Sequence, residues 1–367
     1  MKKKNIVFFM PFIGIGGVEK NLFLIANYIS KKKKNIYVCT SSKKCKDKLS
    51  SNIKILTPTK KMSSNINIRL MYLYCLFALY IFLIKNKNSI VFCFQANVYC
   101  ILLCKMLNIK VIVRSNTSPY GWKHNFLKKF FYKKIINLSD EVITNSIEFK
   151  NQMKKKFNLN SKFIYNPLNR DEIITQSKEK FSLKFFNEKT SLKIINIARL
   201  TEQKDHITLL KSVEILKKKK INFKLLIIGN GNQEKYLKKF IEDKKLKKFV
   251  KILSFQKNPY KFLNKSDLFI LSSRYEGLPN VLIEAALLRK FIITTDCPTG
   301  PREIILNGKG GFIFKVGDYH DLSNKIEKFK NNKKKFKYKI QNAYKALDRF
   351  NYKINLDMYY KLVCKYI

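Results

Sequence analysis

The chain has 367 residues, 46 % hydrophobic and 27 % charged, which is enough for two domains that each bury a core. Its 13 % aromatic content excludes a disordered chain, and 12 Gly with 8 Pro exclude collagen-like and Pro/Gly-rich classes. A formal net charge of +50 points either to a polyanionic partner (nucleic acid or an anionic membrane face) or to the drift of an AT-biased genome, because nearly all the cations are Lys.

The N-terminal run, Met1-Lys2-Lys3-Lys4 followed by Ile6 to Ile15, imitates a signal peptide but lacks a cleavage site and is interrupted by Glu19-Lys20. It reads as a strand, Ile6–Met10, feeding a glycine turn and a helix, Val18–Ser30. Strands follow at Ile36–Thr40 and Ile53–Leu56. The apolar stretch Leu70–Ile84 is too short for a bilayer span and contains three tyrosines, so it reads as a buried or membrane-surface helix. Strand Ile90–Phe94, helix Val98–Leu107, strand Lys110–Arg114, helix Asn125–Ile136, strand Glu141–Thr144 and helix Ser146–Phe157 complete the first half. Apolar strands separated by helices of this length predict βαβ units and a parallel sheet.

Near Tyr165-Asn166-Pro167 the pattern breaks, and Leu168 to Thr190 is polar and loosely periodic. The alternation restarts with strands at 193–198, 223–228, 250–255, 268–271, 291–295 and 311–314, and with helices at 206–216, 233–244 and 279–288. The fold expected is α/β, with two Rossmann-like doubly wound domains facing across a cleft, over 1–167 and 168–345. Residues 346–367 form a helix expected to cross back to the first domain.

Eight cysteines show no C-x-x-C spacing, and His124, His206 and His320 sit far from any Cys pair, so neither a zinc site nor a disulfide framework is expected. A reducing cytoplasm is the corresponding compartment. In a chain drifting toward Lys, the few arginines, among them Arg114, Arg199, Arg274 and Arg302, call for a planar-fork explanation.

Ligands of doubly wound sheets bind at the carboxyl ends of the strands. The first such loop is Gly14-Ile15-Gly16-Gly17-Val18-Glu19. Glu19 stands where a dinucleotide fingerprint needs glycine, and Cys39-Thr40-Ser41 stands where it needs an acid, so only a glycine turn at a helix start remains. In the second loop a strand ends in Arg199, and Lys204 precedes a helix for which Asp205 is the expected N-cap. The third is Arg274-Tyr275-Glu276-Gly277-Leu278-Pro279-Asn280, with Pro279 in the first helical turn. Glu284 follows on an apolar helix, where a carboxylate requires hydrogen-bond donors such as a ribose, or an internal Lys or Arg. The fourth, Thr295 to Glu303, places Arg302 where it meets either phosphate or a carboxylate.

Arg199 with Lys204, Gly229-Asn230-Gly231, Glu276-Gly277-Leu278-Pro279-Asn280 with Glu284, and Pro298-Thr299-Gly300-Pro301 together resemble glycosyltransferase family 4, retaining enzymes of the GT-B fold. The resemblance implies that Arg199 and Lys204 neutralise a sugar nucleotide's diphosphate, that Glu284 holds the ribose and that Glu276 holds donor-sugar hydroxyls. It further implies that the backbone of Gly277 to Asn280 contacts sugar or phosphate, and that Gly229, Asn230, Gly231, Phe255 and Gln256 form the nucleobase side. Gly16 and Gly17 would line the cleft from the acceptor domain. Many relatives carry a His after a first-domain strand; here that loop reads Arg114-Ser115-Asn116-Thr117-Ser118, so either Asn116 or Arg114 substitutes or the sugar contacts differ.

The resulting expectation is transfer of a hexose-type sugar, with retention, from a nucleoside diphosphate sugar to a hydroxyl of a glycan or lipid-linked acceptor in bacterial surface polysaccharide biosynthesis. No metal and no cofactor besides the sugar nucleotide are expected. The basic, aromatic-rich first domain suggests peripheral attachment to an anionic membrane. The rivals are a GT-B nucleotide-sugar epimerase, for which no acid/base groups are identified, a basic nucleic-acid-binding protein, which leaves Glu284 unexplained, and an inactive scaffold.

Overall fold

The computed structural model describes residues 4–14, 16–41, 43–58, 67–116, 126–186, 188 and 191–367. His124, Thr117 and Ser118 lie outside them. The chain divides into two compact units, Met1–Pro167 with Tyr352–Ile367, and Leu168–Asn351. Residues 346–351, expected with the terminal helix, fall in the second unit.

In the first unit the elements run β1 (Asn5–Phe9), α1 (Gly17–Ser30), β2 (Ile36–Cys39), β3 (Lys54–Leu56), α2 (Ile68–Lys85), β4 (Ser89–Cys93) and α3 (Asn97–Met106). They continue with β5 (Lys110–Arg114), α4 (Phe126–Ile136), β6 (Glu141–Thr144), α5 (Ile147–Phe157) and β7 (Lys162–Phe163). The strands form one parallel sheet in the order β3-β2-β1-β4-β5-β6-β7. Both faces are covered, which is why β1 and β4 read as unbroken apolar runs rather than alternating ones. One face packs against α1, the other against α2, α3, α4 and α5. Of the two readings of the Leu70–Ile84 stretch, burial is overturned: only Cys75, Leu79 and Leu83 of α2 are buried.

The second unit contains α6 (Arg170–Ser177), β8 (Leu192–Ile197), α7 (His206–Lys218), β9 (Phe223–Ile228), α8 (Glu234–Asp243), β10 (Val250–Leu253) and α9 (Tyr260–Asn264). There follow β11 (Leu268–Leu271), α10 (Asn280–Leu287), β12 (Phe291–Thr295), α11 (Pro301–Ile304), β13 (Phe312–Phe314), α12 (Tyr319–Asn331) and α13 (Lys337–Lys345). Its parallel sheet has the order β10-β9-β8-β11-β12-β13. The order reverses between β8 and β11, and this switch point is where doubly wound sheets hold ligands, at the carboxyl ends of the strands. The last helix, α14 (Tyr352–Cys364), returns to the first unit, where Leu356, Tyr359 and Val363 join the core against α1.

β7, α6, α9 and α12 were not anticipated. β7 is two residues long, α6 is short and polar, and α9 is only five residues, so none carries enough apolar period to be read. At α12 the left-handed Gly317 and the cap Asp318, which accepts from Asp321 N at 2.9 Å, mark a start that periodicity alone did not reveal.

Candidate functional site

At the switch point of the second unit, the loop leaving β8 is stitched to the loop leaving β11. Ser272 Oγ donates to Lys204 O at 2.9 Å, Arg274 N to Gln203 O at 2.8 Å, and Gln203 Nε2 to Tyr275 O at 2.8 Å. This stitching brings Lys204 Nζ within 2.5 Å of Glu276 Oε1, which also accepts from Ser273 Oγ at 2.6 Å. The pair is nearly dry, with 13 % and 8 % of the two side chains exposed. Glu276 Oε2 receives no hydrogen bond among the described residues and is free to accept from a ligand hydroxyl.

Arg199 lies on the same edge. It is exposed, and its guanidinium meets no partner among the described residues. An exposed fork next to a buried ion pair leaves one net positive charge at the crevice, which suits an incoming anion.

Behind these groups the glycine turn Gly229–Gly231 packs against Ala198–Leu200. A Cβ on Gly231 would lie 2.1 Å from Leu200 O, so only glycine permits this approach. Asn230 Oδ1 accepts from Phe255 N at 2.6 Å, which joins the expected nucleobase-side residues Gly229, Asn230, Gly231 and Phe255 into one ledge after β9 and β10. Gln256 follows, half-buried. Gly277, Leu278 and Pro279 are buried beside Glu276, and Asn280 opens α10. Pro279 takes the N-cap position, one residue before the first turn expected for it.

Glu284 is buried on α10 and accepts from Tyr260 Oη at 3.0 Å. Tyr260 escaped the sequence reading together with α9. The Asn258-Pro259 dipeptide was its available signal, since Asn258 Oδ1 accepts from Tyr260 N at 3.0 Å and starts the helix. Thr299, quoted only as part of a motif, proves to be a buttress: its Oγ1 donates to Glu276 O at 2.5 Å, while Gly300 sits where a Cβ would meet Gly277 O at 2.0 Å. Arg302 pairs with Asp296 through two nitrogens, a carboxylate being one of its two expected partners.

One expectation for this loop is corrected in part: Asp205 stands at the N-cap position of α7, but its side chain does not cap. Asp205 adopts a left-handed backbone (φ 46°). It accepts from Thr208 Oγ1 at 2.9 Å and faces Arg274 Nε at 3.5 Å. The neighbouring His206 is a core residue. Its Nε2 pairs with Asn196 Oδ1 at 3.0 Å, Asn196 Nδ2 donates to Ile270 O at 2.8 Å, and burial with the nearby Lys204 charge lowers the imidazole to about 4.

In the first unit, Gly16 and Gly17 are exposed at the start of α1, where the Glu19 carboxylate folds back and accepts from Gly14 N at 3.3 Å. Arg114 does not line a cleft. It is 0 % exposed, with Nε donating to Tyr359 Oη at 3.0 Å, Nη2 to Asn166 Oδ1 at 2.5 Å and Nη1 to Asn116 Oδ1. As the last residue of β5 its side chain follows the pleat inward, and the fork is spent on neutral oxygens. Asn116 Nδ2 in turn donates to Phe94 O at 2.8 Å, so Asn116 ties two strand ends together. All eight cysteines are free thiols.

Residues 177–346 match the family model of glycosyl transferases group 1. The chain is similar to an uncharacterized glycosyltransferase, MJ1059, of Methanocaldococcus jannaschii, at 39 % identity over 54 % of this chain and 53 % of that protein. It is also similar to the N-acetylgalactosamine-N,N'-diacetylbacillosaminyl-diphospho-undecaprenol 4-alpha-N-acetylgalactosaminyltransferase of Campylobacter jejuni, at 27 % identity over 68 % of this chain and 70 % of that protein. The chain thus spans 53 % and 70 % of the length of these two curated relatives. In fold it resembles Anabaena Alr3699/HepE, solved in complex with UDP-glucose, with a TM-score of 0.79 at 17 % identity over 98 % of this chain and 99 % of that one. The architecture is GT-B, and residues 177–346 are similar to the glycosyl transferases group 1 model.

Proposed function

We propose that this chain moves a hexose-type sugar, with retention, from a nucleoside diphosphate sugar to a hydroxyl of a glycan or lipid-linked acceptor in bacterial surface polysaccharide assembly. The observation that carries the reading is the exposed Arg199, unpartnered among the described residues, in the β8 loop that also carries Lys204 of the Lys204–Glu276 pair at the β8/β11 switch point. The bond between the anomeric carbon and the diphosphate oxygen breaks, and negative charge collects on the leaving group. Arg199 and Lys204 stabilise that charge in the place a metal ion would otherwise fill. The acceptor oxygen bonds to the anomeric carbon on the face the diphosphate leaves, and its proton passes to the departing phosphate.

Glu276 Oε2 holds a donor-sugar hydroxyl and Glu284 the ribose. A lipid-linked acceptor agrees with the diphospho-undecaprenol in the name of the Campylobacter relative. A thermal-shift panel of nucleoside diphosphate sugars tests the reading. At least one is expected to raise the midpoint of the intact chain by mass action, and to lose that effect in Arg199→Ala. A panel with no shift, or a shift untouched by Arg199→Ala, would overturn it.

A further inference from the structure

Glu284 sits on an apolar helix, and its Oε1 accepts from Tyr260 Oη of α9 at 3.0 Å, with both residues buried. A phenol O–H is a neutral donor. It fixes where the carboxylate points and takes one of its roughly four lone-pair directions, but it cancels none of the charge. A lysine or arginine in its place would orient the group and neutralise it together.

The helix that carries Tyr260 has five residues, too few to hold a side chain in place by its own backbone bonds. It is anchored from outside. Asn258 Oδ1 accepts from Tyr260 N at 3.0 Å, while Asn258 Nδ2 donates to Gln176 O in α6 at 2.8 Å. At the other end, Asn264 Nδ2 donates to Ser177 O, the last residue of α6, at 3.2 Å. Asn264 O accepts from Lys290 Nζ, just past α10, at 2.6 Å. The Phe262 ring packs 4.6 Å from that of Phe181, which follows α6. α9 is thus fixed to α6 at both ends and tied to the segment after α10, with the Tyr260 hydroxyl set against the middle of α10.

We propose that Tyr260 is a positioning residue of the donor site: it holds the Glu284 carboxylate in the orientation that accepts the paired hydroxyls of a ribose, with α6 as the base of that alignment. The assignment rests on the nucleoside diphosphate sugar reading of the same site. A Glu side chain has several rotatable bonds, and one already held before the nucleotide arrives loses little freedom on binding. Both vicinal hydroxyls of a ribose then donate to one carboxylate, whereas a 2'-deoxyribose offers one hydroxyl fewer. A carboxylate free to turn would follow whichever hydroxyl is present. The anchored one discriminates, because a missing hydroxyl leaves its oxygen without a donor. A purely structural role, a buried acid satisfied by a nearby phenol, predicts no link between Tyr260 and the sugar of the nucleotide.

Titration calorimetry on the intact chain decides it, with UDP, GDP, ADP and CDP each set against its 2'-deoxy counterpart. In the parent the best-bound ribonucleotide is expected to exceed its deoxy form roughly tenfold. Tyr260→Phe keeps the ring and removes only the hydroxyl. It should weaken the ribonucleotide roughly five- to tenfold and leave the deoxy form nearly unchanged, so that the ratio falls toward one. Asn258→Ala, which leaves Tyr260 and Glu284 in the chain but cuts the tie to α6, should lower the ratio in the same direction by a smaller factor. That variant carries the test if Tyr260→Phe folds poorly, and a parental ratio in it would then overturn the proposal. A thermal midpoint that falls in Tyr260→Phe while the ratio stays parental, or equal weakening of both forms, would return Tyr260 to a structural role and leave the donor reading intact. A parent that binds nucleotides without discriminating would also overturn the proposal. A parent that binds none of them would bring down the transferase reading itself, which is a distinct result.

Discussion

Lys204 Nζ and Glu276 Oε1 lie 2.5 Å apart, although 72 positions separate the residues, and both side chains are almost withdrawn from water. Removing one partner strands the other charge in a dry site at a cost of roughly 3–5 kcal/mol. Lys204→Ala and Glu276→Ala should each lower the urea midpoint by that order. The double variant Lys204→Met/Glu276→Leu should recover most of the stability while remaining inactive. A double-mutant cycle measures the coupling, and additive losses would show that the pair is not a unit.

Arg199 offers the contrasting case. With no partner to strand, Arg199→Ala should leave stability within about 0.5 kcal/mol of the parent. Turnover should fall by roughly 10²–10³, the usual cost of one group that stabilises developing charge. Initial rates and a urea titration on the same preparation check both halves. Near-parental turnover would remove Arg199 from the mechanism.

Gly231→Ala drives a methyl to within 2.1 Å of Leu200 O, a backbone atom that cannot swing aside. A loss of about 1–3 kcal/mol or more is expected, together with a disturbed β8 loop. Gly317 has nothing within 4 Å of its virtual Cβ and φ +80°. Gly317→Ala should therefore cost only the left-handed strain, about 1–2 kcal/mol, and spare the donor site. Comparing thermal midpoints and donor affinity of the two variants separates steric from conformational cost.

His206 makes stability depend on pH. Its folded-state value of about 4 lies below the ordinary 6.5, so between these limits the unfolded chain binds the extra proton. Stability should accordingly be fully present above pH 6.5 and decline as pH falls toward 4, by about 2–4 kcal/mol at the limit. His206→Gln, which cannot titrate, should flatten that slope in urea unfolding between pH 4.5 and 7.5. An unchanged slope would mean that other groups set it.

Tyr359→Phe withdraws the hydroxyl that accepts from Arg114 Nε at 3.0 Å. A buried guanidinium donor left unpaired costs about 1–3 kcal/mol. The urea midpoint should fall while turnover per folded molecule stays at the parental level. Loss of turnover without loss of stability would return Arg114 to the catalytic site.

The strand–helix alternation, the two sheets and the loops that end in Arg199 and Glu276 were legible in the linear chain. Strands covered on both faces must be apolar throughout, and glycine turns at helix starts are written in consecutive residues. The destination of each side chain was not. Arg114 closes β5 and Arg199 follows β8 by two residues, yet the pleat turns the first into the core under Tyr359 while the second stands in a loop, in solvent. Glu284 signalled its need for a donor, but Tyr260, 24 positions earlier on a five-residue helix, became its partner only through packing. The apolar stretch of α2 likewise announced its composition and not its orientation. Local pattern determines which elements form, because hydrogen bonding and periodicity act between near neighbours. Which groups meet, and which are left facing water, is decided by contacts between distant segments that exist only after the sheets have closed.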